Sequence, residues 1–381
     1  MTRRKSEQAF SPSDDLVAAV RAEAALSADA WFPELDARRV RARVLSTGAR
    51  ARCFLYRMEL DDGRVRRVVV VKVRHSLAHL RLRDRFNERP VLNPERTMSD
   101  EDTARREYDG LQTIAEALRR GDERFGVLRP LAWLPGQSAI VMHLVQEPTL
   151  RHRLLETSRT RLRPGPAMDE TAWSNAGAWL RIFHDHGTRL MLPPRIETRG
   201  QVAKMYGAYA DFLLQRTGAS SCLVDLKESA AELAGSLPAE LPLSPGHGDF
   251  VANNMFAGAA GRVTVFDPLI RWRVPRYQDL GTLTVGIRIV PSQAMTQGLT
   301  IAQRELERYE DAVLRGYFGS EEVPLRAVRA YQLLVLLDRW SDLVSKQIAH
   351  GRVRPRLHEL RVLLASRHCR REARRLLLLL R

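Results

Sequence analysis

The stretch that decides the fold begins as Pro245-Gly-His-Gly-Asp-Phe-Val-Ala-Asn-Asn-Met-Phe256 and continues as Arg262-Val-Thr-Val-Phe-Asp267. Asn254 follows Asp249 after four intervening residues, and a short apolar run then ends in Asp267. This spacing suits phosphoryl transfer, which needs a side chain that orients a hydroxyl and oxygen ligands that hold magnesium beside the transferred group. The alternative is a polar hairpin turn, because Gly, Asp and Asn all favour turns.

The sequence before this stretch has the character of a small sheet. Residues 39–73 contain strand-like runs, and Asp61-Asp-Gly63 is a hairpin signal between two of them. A helix is predicted over 103–119, with a capping pair at Ser99 and Asp102. Two further strands are predicted, over 126–134 and 138–145.

After Pro148 the pattern becomes helical, and the strand-like island of 254–267 lies in the middle of it. Helices are predicted over 170–186, 202–216, 222–237, 300–317 and 326–350. We therefore predict an α+β fold with two lobes. Its parts are an N-terminal arm and helix (1–36), a small β-rich N-lobe with one long helix (37–146) and a larger helical C-lobe with the catalytic loop and acceptor site (147–381).

Outside this stretch, one lysine and one glutamate lie among apolar residues. Lys72 lies within Val68-Val-Val-Val-Lys-Val73, where a buried amine needs a partner or a ligand. Glu107 shares a helical face with Leu111, Ile114 and Leu118, which turns its carboxylate inward. We predict that Lys72 pairs with Glu107. The alternatives are an edge-strand lysine that blunts aggregation and a first-turn acid that the helix dipole favours.

The motif at 247–267 resembles that of the protein-kinase-like phosphotransferases of the aminoglycoside phosphotransferase and choline kinase type. Their catalytic loop has His-Gly-Asp, then four residues, then Asn, followed by a short strand that ends in Asp. The resemblance implies a protein-kinase-like bilobal fold and ATP-dependent transfer of the γ-phosphoryl group to a small-molecule hydroxyl. It implies Asp249 as the catalytic residue, Asn254 and Asp267 as magnesium ligands, and ATP (or GTP) and Mg²⁺ as cofactors.

The resemblance also implies supporting roles. His247 braces the loop through backbone hydrogen bonds, and Asp279, in Pro275-Arg-Tyr-Gln-Asp-Leu-Gly281, supports it from below. Lys72, paired with Glu107, contacts the α- and β-phosphates. The other nucleotide-binding residues that it implies are Gly48, in a phosphate-covering loop with only one glycine, and Met142, His143 and Val145 beside the adenine.

Charge bears on the acceptor. The net charge is +16 and the pI about 10.6, which favours anionic partners, although an arginine-rich composition alone would also give a solvated basic surface. A neutral or anionic sugar, sugar phosphate or lipid-linked saccharide therefore suits the chain better than a polycationic aminoglycoside. By resemblance, the acceptor region would include seven aromatic and acidic residues, although core packing more often explains such residues: Tyr206, Tyr209, Phe212, Trp272, Tyr277, Trp340 and Asp342.

The remaining predictions concern location and partners. No apolar run approaches the roughly 20 residues of a membrane helix, and no secretory signal is expected. Cys53, Cys222 and Cys369 lie far apart and show no metal-ligand spacing, which predicts free thiols in a reducing cytoplasm. The arginine-rich segment 352–381 is either a docked terminal helix or a peripheral membrane anchor. No nucleic-acid-binding motif is present. A catalytically inactive, kinase-like binding protein is the other hypothesis, and the oligomeric state stays open.

Overall fold

The computed structural model describes residues 13–50, 53–75, 89–94, 98–118, 121–157, 169–186, 192–218, 220–349 and 355–381. They form two compact units. The first contains the described residues within 1–81, 96–119 and 127–146, and the second contains those within 82–95, 120–126 and 147–381. Residues 89–94 and 121–126 belong to the second unit, and the three-part division at 36 and 146 stays a prediction.

The first unit is built on a five-stranded antiparallel sheet. Its elements are α1 (Asp14–Trp31), β1 (Arg41–Ala49), β2 (Cys53–Asp61), β3 (Arg66–Arg74), α2 (Asp100–Ala117), β4 (Pro130–Leu134) and β5 (Ala139–His143). The strand order is β1-β2-β3-β5-β4. The Asp61-Asp-Gly63 signal forms the β2–β3 turn, where the Gly63 amide donates to Asp61 Oδ1 at 2.7 Å and Gly63 has a φ of 91°.

Helix α1 covers one face of this sheet. Leu16, Val20 and Ala24 of the helix are buried in the same core as Val69 and Val71 of β3. Because side chains alternate along a strand, Lys72 and Arg74 lie on the opposite face. Helix α1 therefore shares the core of the sheet.

The second unit is mostly helical. Its helices are α3 (Leu150–Thr157), α4 (Thr171–His186), α5 (Arg199–Thr217), α6 (Ser221–Glu228), α7 (Ala230–Gly235), α8 (Tyr277–Arg288), α9 (Pro291–Met295), α10 (Gln303–Phe318), α11 (Leu325–Ala349) and α12 (Pro355–Leu380). Its short strands form two antiparallel pairs: β6 (Leu243–Pro245) with β9 (Arg273–Pro275), and β7 (Met255–Ala257) with β8 (Val263–Val265). The α+β prediction is confirmed.

Close packing of α4 against α10 prepares one part of the site. A Cβ atom at Gly177 would overlap the Val313 carbonyl, and one at Gly316 would overlap the Ser174 carbonyl. Only glycine therefore permits this approach. It brings the His184 ring of α4 to the Tyr317 hydroxyl of α10, with Nδ1 and the hydroxyl oxygen 2.8 Å apart.

Helix α8 was missed by the prediction. Its sequence, YQDLGTLTVGIR, has no polar face, and ten of its twelve residues are buried. A buried helix of this kind gives no amphipathic period, and its two glycines and two threonines lower its intrinsic helix propensity. Close packing explains Gly281, since a Cβ atom there would lie 3.2 Å from the Tyr331 carbonyl oxygen of α11.

The arginine-rich C-terminal segment includes a docked helix. Helix α12 buries Val362, Cys369, Ala373 and Leu376. On its other side, Leu363 is 66% exposed and Leu378 is 73% exposed. Within the described residues, no helix is long and apolar enough to cross a membrane.

Candidate active site

The Pro245–Asn254 loop follows β6 and is held at its backbone. The His247 amide donates to Asp279 Oδ2 at 2.8 Å, and the His247 carbonyl accepts from the Leu269 amide at 2.8 Å. Gly248 has a φ of 84°, and a Cβ atom there would lie 2.5 Å from the Leu269 carbonyl oxygen. The His-Gly-Asp segment therefore has a fixed path, in which glycine is required by both conformation and space.

The end of this loop orients Asp249. Asn254 Nδ2 donates to the Asp249 carbonyl at 3.0 Å and to its Oδ2 at 2.8 Å. A short 3₁₀ turn over Ala252–Asn254 places the amide for both contacts. Asp249 stays partly exposed while Asn254 is buried. Asn254 thereby fixes one oxygen of the Asp249 carboxylate, Oδ2.

The β7–β8 hairpin joins Asn254 to Asp267. Met255 pairs with Val265, and the Phe266 amide donates to the Asn254 carbonyl at 3.0 Å. Asp267 follows with a φ of 59°, a left-handed conformation that is rare outside glycine and costs about 1–3 kcal/mol. Backbone strain of this kind clusters at functional sites. The hairpin thus places the backbone of Asn254 beside that of Phe266, the residue before Asp267.

These donors fit magnesium. Asn254 Nδ2 is engaged by Asp249, which leaves Oδ1 as the Asn254 atom that can bind a cation. Asp267 supplies a carboxylate, and Mg²⁺ in phosphoryl-transfer sites takes one or two protein ligands together with substrate phosphates and water. Among the described residues, no group of three His, Cys, Asp or Glu side chains is placed to hold a metal without such help.

Asp279 is the buried support of the loop. It lies on α8, is 2% exposed, and accepts from the His247 amide. The same Oδ2 lies 3.3 Å from His184 Nε2. His184, which contacts Tyr317 through its other nitrogen, was predicted only as part of the helix over 170–186. No local motif signalled this contact, because the three residues come from three separate helices.

The His247 ring is packed among aromatic rings. Its edge contacts Trp179, Phe183 and Phe250 at centroid distances of 5.5–6.0 Å, and neither ring nitrogen has a hydrogen-bond partner. Burial lowers the pKa of His247, against the smaller opposing effects of Asp279, Asp249 and Asp267. The ring is therefore neutral and serves packing, while the backbone of His247 makes the bracing contacts.

In the first unit, Lys72 and Glu107 meet. Lys72 Nζ donates to Glu107 Oε1 at 2.7 Å, and both residues are at most 5% exposed. Strand β3 pairs with β2 and β5 on its two sides, so the edge-strand alternative for Lys72 is wrong. Helix α2 begins at Asp100, so Glu107 does not lie in its first turn. Arg74 was not predicted, and its guanidinium also donates to Glu107, at Oε2.

The other predicted nucleotide-binding residues are less distinctive. Gly48 lies within β1 opposite Leu55, with space for a Cβ atom. Met142 is buried at the end of β5 and pairs with Val70. His143 packs edge-on against Phe32, and its pKa is lowered by burial and then by Arg129. Val145 follows β5 and is half-buried.

Most of the aromatic residues named for the acceptor region serve the core. Tyr206, Tyr209 and Trp340 are fully buried, and the Tyr206 hydroxyl donates to the Ala330 carbonyl at 2.6 Å. Trp272 and Asp342 are partly exposed. A residue that was not predicted, Arg339, lies near the loop, with its guanidinium 3.6 Å from Asp249 Oδ1.

Comparison with protein-family models and with curated protein sequences gives no match. Solved structures give remote similarities. An ethanolamine kinase from Plasmodium vivax is 9% identical, covers 94% of this chain and 90% of its own, and has a TM-score of 0.49. A choline/ethanolamine kinase family protein from Mesorhizobium loti is 15% identical, with 87% and 92% coverage and a TM-score of 0.48.

A spectinomycin phosphotransferase, solved with ADP and spectinomycin, is 11% identical, covers 86% of this chain and 93% of its own, and has a TM-score of 0.47. These are the kinds of protein that the sequence motif resembles.

Proposed function

We propose that this chain is an ATP-dependent phosphotransferase that moves the γ-phosphoryl group to a hydroxyl of a small molecule. One observation carries the proposal. Asp249, Asn254 and Asp267 are brought together by a loop and a hairpin whose backbones are fixed by hydrogen bonds. Phosphoryl transfer requires carboxylates and amides in fixed positions, because positioning and charge neutralisation supply most of the catalysis.

Asp249 orients the acceptor in this proposal. Oδ2 is held by Asn254, so Oδ1 accepts the hydrogen bond of the acceptor hydroxyl and takes its proton late in the transfer. The acceptor oxygen forms a bond to the γ-phosphorus, and the bond from that phosphorus to the bridging oxygen breaks. ADP leaves with the electron pair. Magnesium at Asn254 and Asp267 would supply charge neutralisation for the phosphates.

In the first unit, Lys72 is proposed to bind the α- and β-phosphates, with its amine oriented by Glu107. Arg74 shares the same carboxylate and helps to fix it. We further propose Met142, His143 and Val145 beside the adenine, with ATP favoured and GTP an alternative. The proposed acceptor is a sugar or a sugar-containing compound, and the proposed location is the cytoplasm.

The alternatives make separable predictions. A catalytically inactive relative would bind nucleotide without transferring phosphate, although Lys72, Asp249, Asn254 and Asp267 are all present. A kinase of lipid-linked saccharides would use the exposed Leu363 and Leu378 of α12, next to its arginines, at an anionic membrane. Sedimentation with phosphatidylserine vesicles, and none with phosphatidylcholine vesicles, would support that version.

The deciding experiment measures nucleotide binding and phosphate release. Wild type should be stabilised by MgATP, by about 2.7 kcal/mol at a hundredfold excess over the dissociation constant. Asp267→Asn should lose the magnesium-dependent part of this stabilisation. Asp311→Asn, an exposed aspartate on α10, should behave as wild type.

Asp249→Asn should bind MgATP like wild type and release no phosphate, which separates catalysis from binding. If wild type responds to no nucleotide, the proposed function is wrong. If wild type binds MgATP but neither hydrolyses it nor phosphorylates any compound in a broad hydroxyl screen, the inactive alternative is correct.

A further inference from the structure

An arginine faces the proposed catalytic carboxylate. Arg339 lies on α11, and its NH2 group is 3.6 Å from Asp249 Oδ1. The side chain of Arg339 is 41% exposed and that of Asp249 is 35% exposed. Both groups can therefore meet a bound reactant.

The particular oxygen matters. Asp249 Oδ2 is engaged by Asn254, so Oδ1 is the atom left for the acceptor hydroxyl, and Oδ1 is the atom that Arg339 faces. A charge-assisted hydrogen bond between guanidinium and carboxylate is about 2.7–2.9 Å long, so a contact of 3.6 Å is loose. Arg339 thus keeps donors available for another anion beside the reacting oxygen.

The helix around Arg339 is firmly held. Trp340, the next residue, is fully buried. Asp338, the preceding residue, accepts from the Tyr209 hydroxyl at 2.7 Å and from the Leu92 amide at 3.1 Å. Its Oδ1 also accepts from Arg89 at 3.3 Å. The Cα atom of Arg339 is therefore fixed between two anchored neighbours, while its guanidinium is exposed.

Stability does not explain an arginine at this position. Exposed ion pairs contribute about 0–1 kcal/mol, and a 3.6 Å contact between two partly exposed groups belongs to that class. Charge in the transition state is a stronger reason. During transfer, negative charge spreads over the equatorial oxygens of the phosphoryl group, and a preorganised cation close to them accelerates the reaction.

We propose that Arg339 contacts the phosphoryl group in transit and stabilises its charge, as a second catalytic residue beside Asp249. The inference rests on the proposed function. Arg339 takes no proton and forms no covalent bond. Its guanidinium moves from Asp249 Oδ1 to the equatorial oxygens as the acceptor hydroxyl occupies Oδ1. Arginine suits this exchange because its planar fork can serve two anions.

The test compares Arg339→Gln and Arg339→Lys with wild type and with Arg367→Gln, an exposed arginine on α12 that serves as the matched control. Two quantities are measured. The first is stabilisation by MgADP with and without aluminium fluoride, which mimics the phosphoryl group in transit. The second is the rate of phosphate release from MgATP.

All four proteins should gain the same stability from MgADP alone. Wild type and Arg367→Gln should gain more when aluminium fluoride is added, and Arg339→Gln should lose that increment. Its phosphate release should fall about 10²–10³-fold, as for the loss of one preorganised donor. Arg339→Lys should keep part of the aluminium fluoride increment and part of the rate, because lysine has the positive charge but not the planar guanidinium.

The outcomes separate the two proposals. If Arg339→Gln keeps the wild-type response to aluminium fluoride and the wild-type rate, the role of Arg339 is refuted while the proposed function stands. If wild type binds no nucleotide, or binds it without any turnover, the proposed function fails and the role of Arg339 fails with it.

Discussion

The buried carboxylate of Glu107 pairs with two cationic side chains, and replacing Glu107 tests whether both share it. Lys72 Nζ contacts Oε1 at 2.7 Å, and Arg74 Nε contacts Oε2 at 3.1 Å. All three residues are at most 8% exposed. Glu107→Gln removes the negative charge that both cations share, whereas Lys72→Met removes one cation and leaves the Arg74–Glu107 pair in place.

The two substitutions should therefore differ in size. Removing one partner of a buried ion pair costs about 3–5 kcal/mol, because the remaining charge keeps its desolvation penalty. We expect a loss of that order in the free energy of unfolding for Glu107→Gln. Lys72→Met should cost about 1 kcal/mol, since a flexible apolar side chain of similar length replaces the lysine and Glu107 keeps Arg74.

Urea unfolding, followed by circular dichroism, measures both values. Glu116→Gln is the matched control, because Glu116 is exposed on the same helix and should change stability by less than about 0.5 kcal/mol. The double substitution of Lys72 and Glu107 should cost less than the sum of the single ones. Equal losses for Lys72→Met and Glu107→Gln would refute the shared-carboxylate geometry.

The remaining predictions concern the support of the loop. Asp279→Ala leaves the buried His247 amide and His184 Nε2 without their acceptor, which should lower the free energy of unfolding by about 1–3 kcal/mol for each. Asp279→Asn keeps an oxygen at this position and should lower it less. Equal losses for the two substitutions in urea unfolding would contradict this prediction. For His247, burial lowers the folded-state pKa, so the unfolded chain takes up the proton first as the pH falls through about 6.5. The free energy of unfolding of the wild type should therefore fall below that pH, and that of His247→Phe should fall less steeply. Urea denaturation at pH 7.5 and at pH 5.5 measures both. Equal losses in the two proteins would show that His247 is not responsible.

Local patterns predicted much of the fold and of the site. The Asp61-Asp-Gly63 signal forms a hairpin, and Ser99 caps α2 by accepting from the Asp102 amide at 3.0 Å. The inward face of Glu107 was visible because apolar residues repeat with it at helical spacing. Such features depend on residues that are close in sequence, so the interactions that determine them lie within one helix or one hairpin.

Features that depend on distant residues were not predicted. Helix α8 is buried all round, so its sequence carries no polar face to mark it. His184 meets Asp279 across 95 positions, and neither residue has a local partner that signals the contact. Arg74, two positions after Lys72, was missed although strand alternation places it on the same face. In that case the signal was present, since two basic side chains on one face of a central strand both need an acid.

Arg339 shows most clearly what a motif leaves out. The motif at 247–267 places the carboxylate, the amide and the second acid, all within one continuous segment. Charge stabilisation of the phosphoryl group can come from anywhere in the fold that reaches Oδ1 of Asp249, and here it would come from a helix 90 positions later. Among 61 basic residues, nothing in the sequence distinguishes this arginine from its exposed neighbours. Because a catalytic cation needs only proximity and a fixed backbone, its position can vary between proteins that share the same loop, and only the three-dimensional structure reveals it.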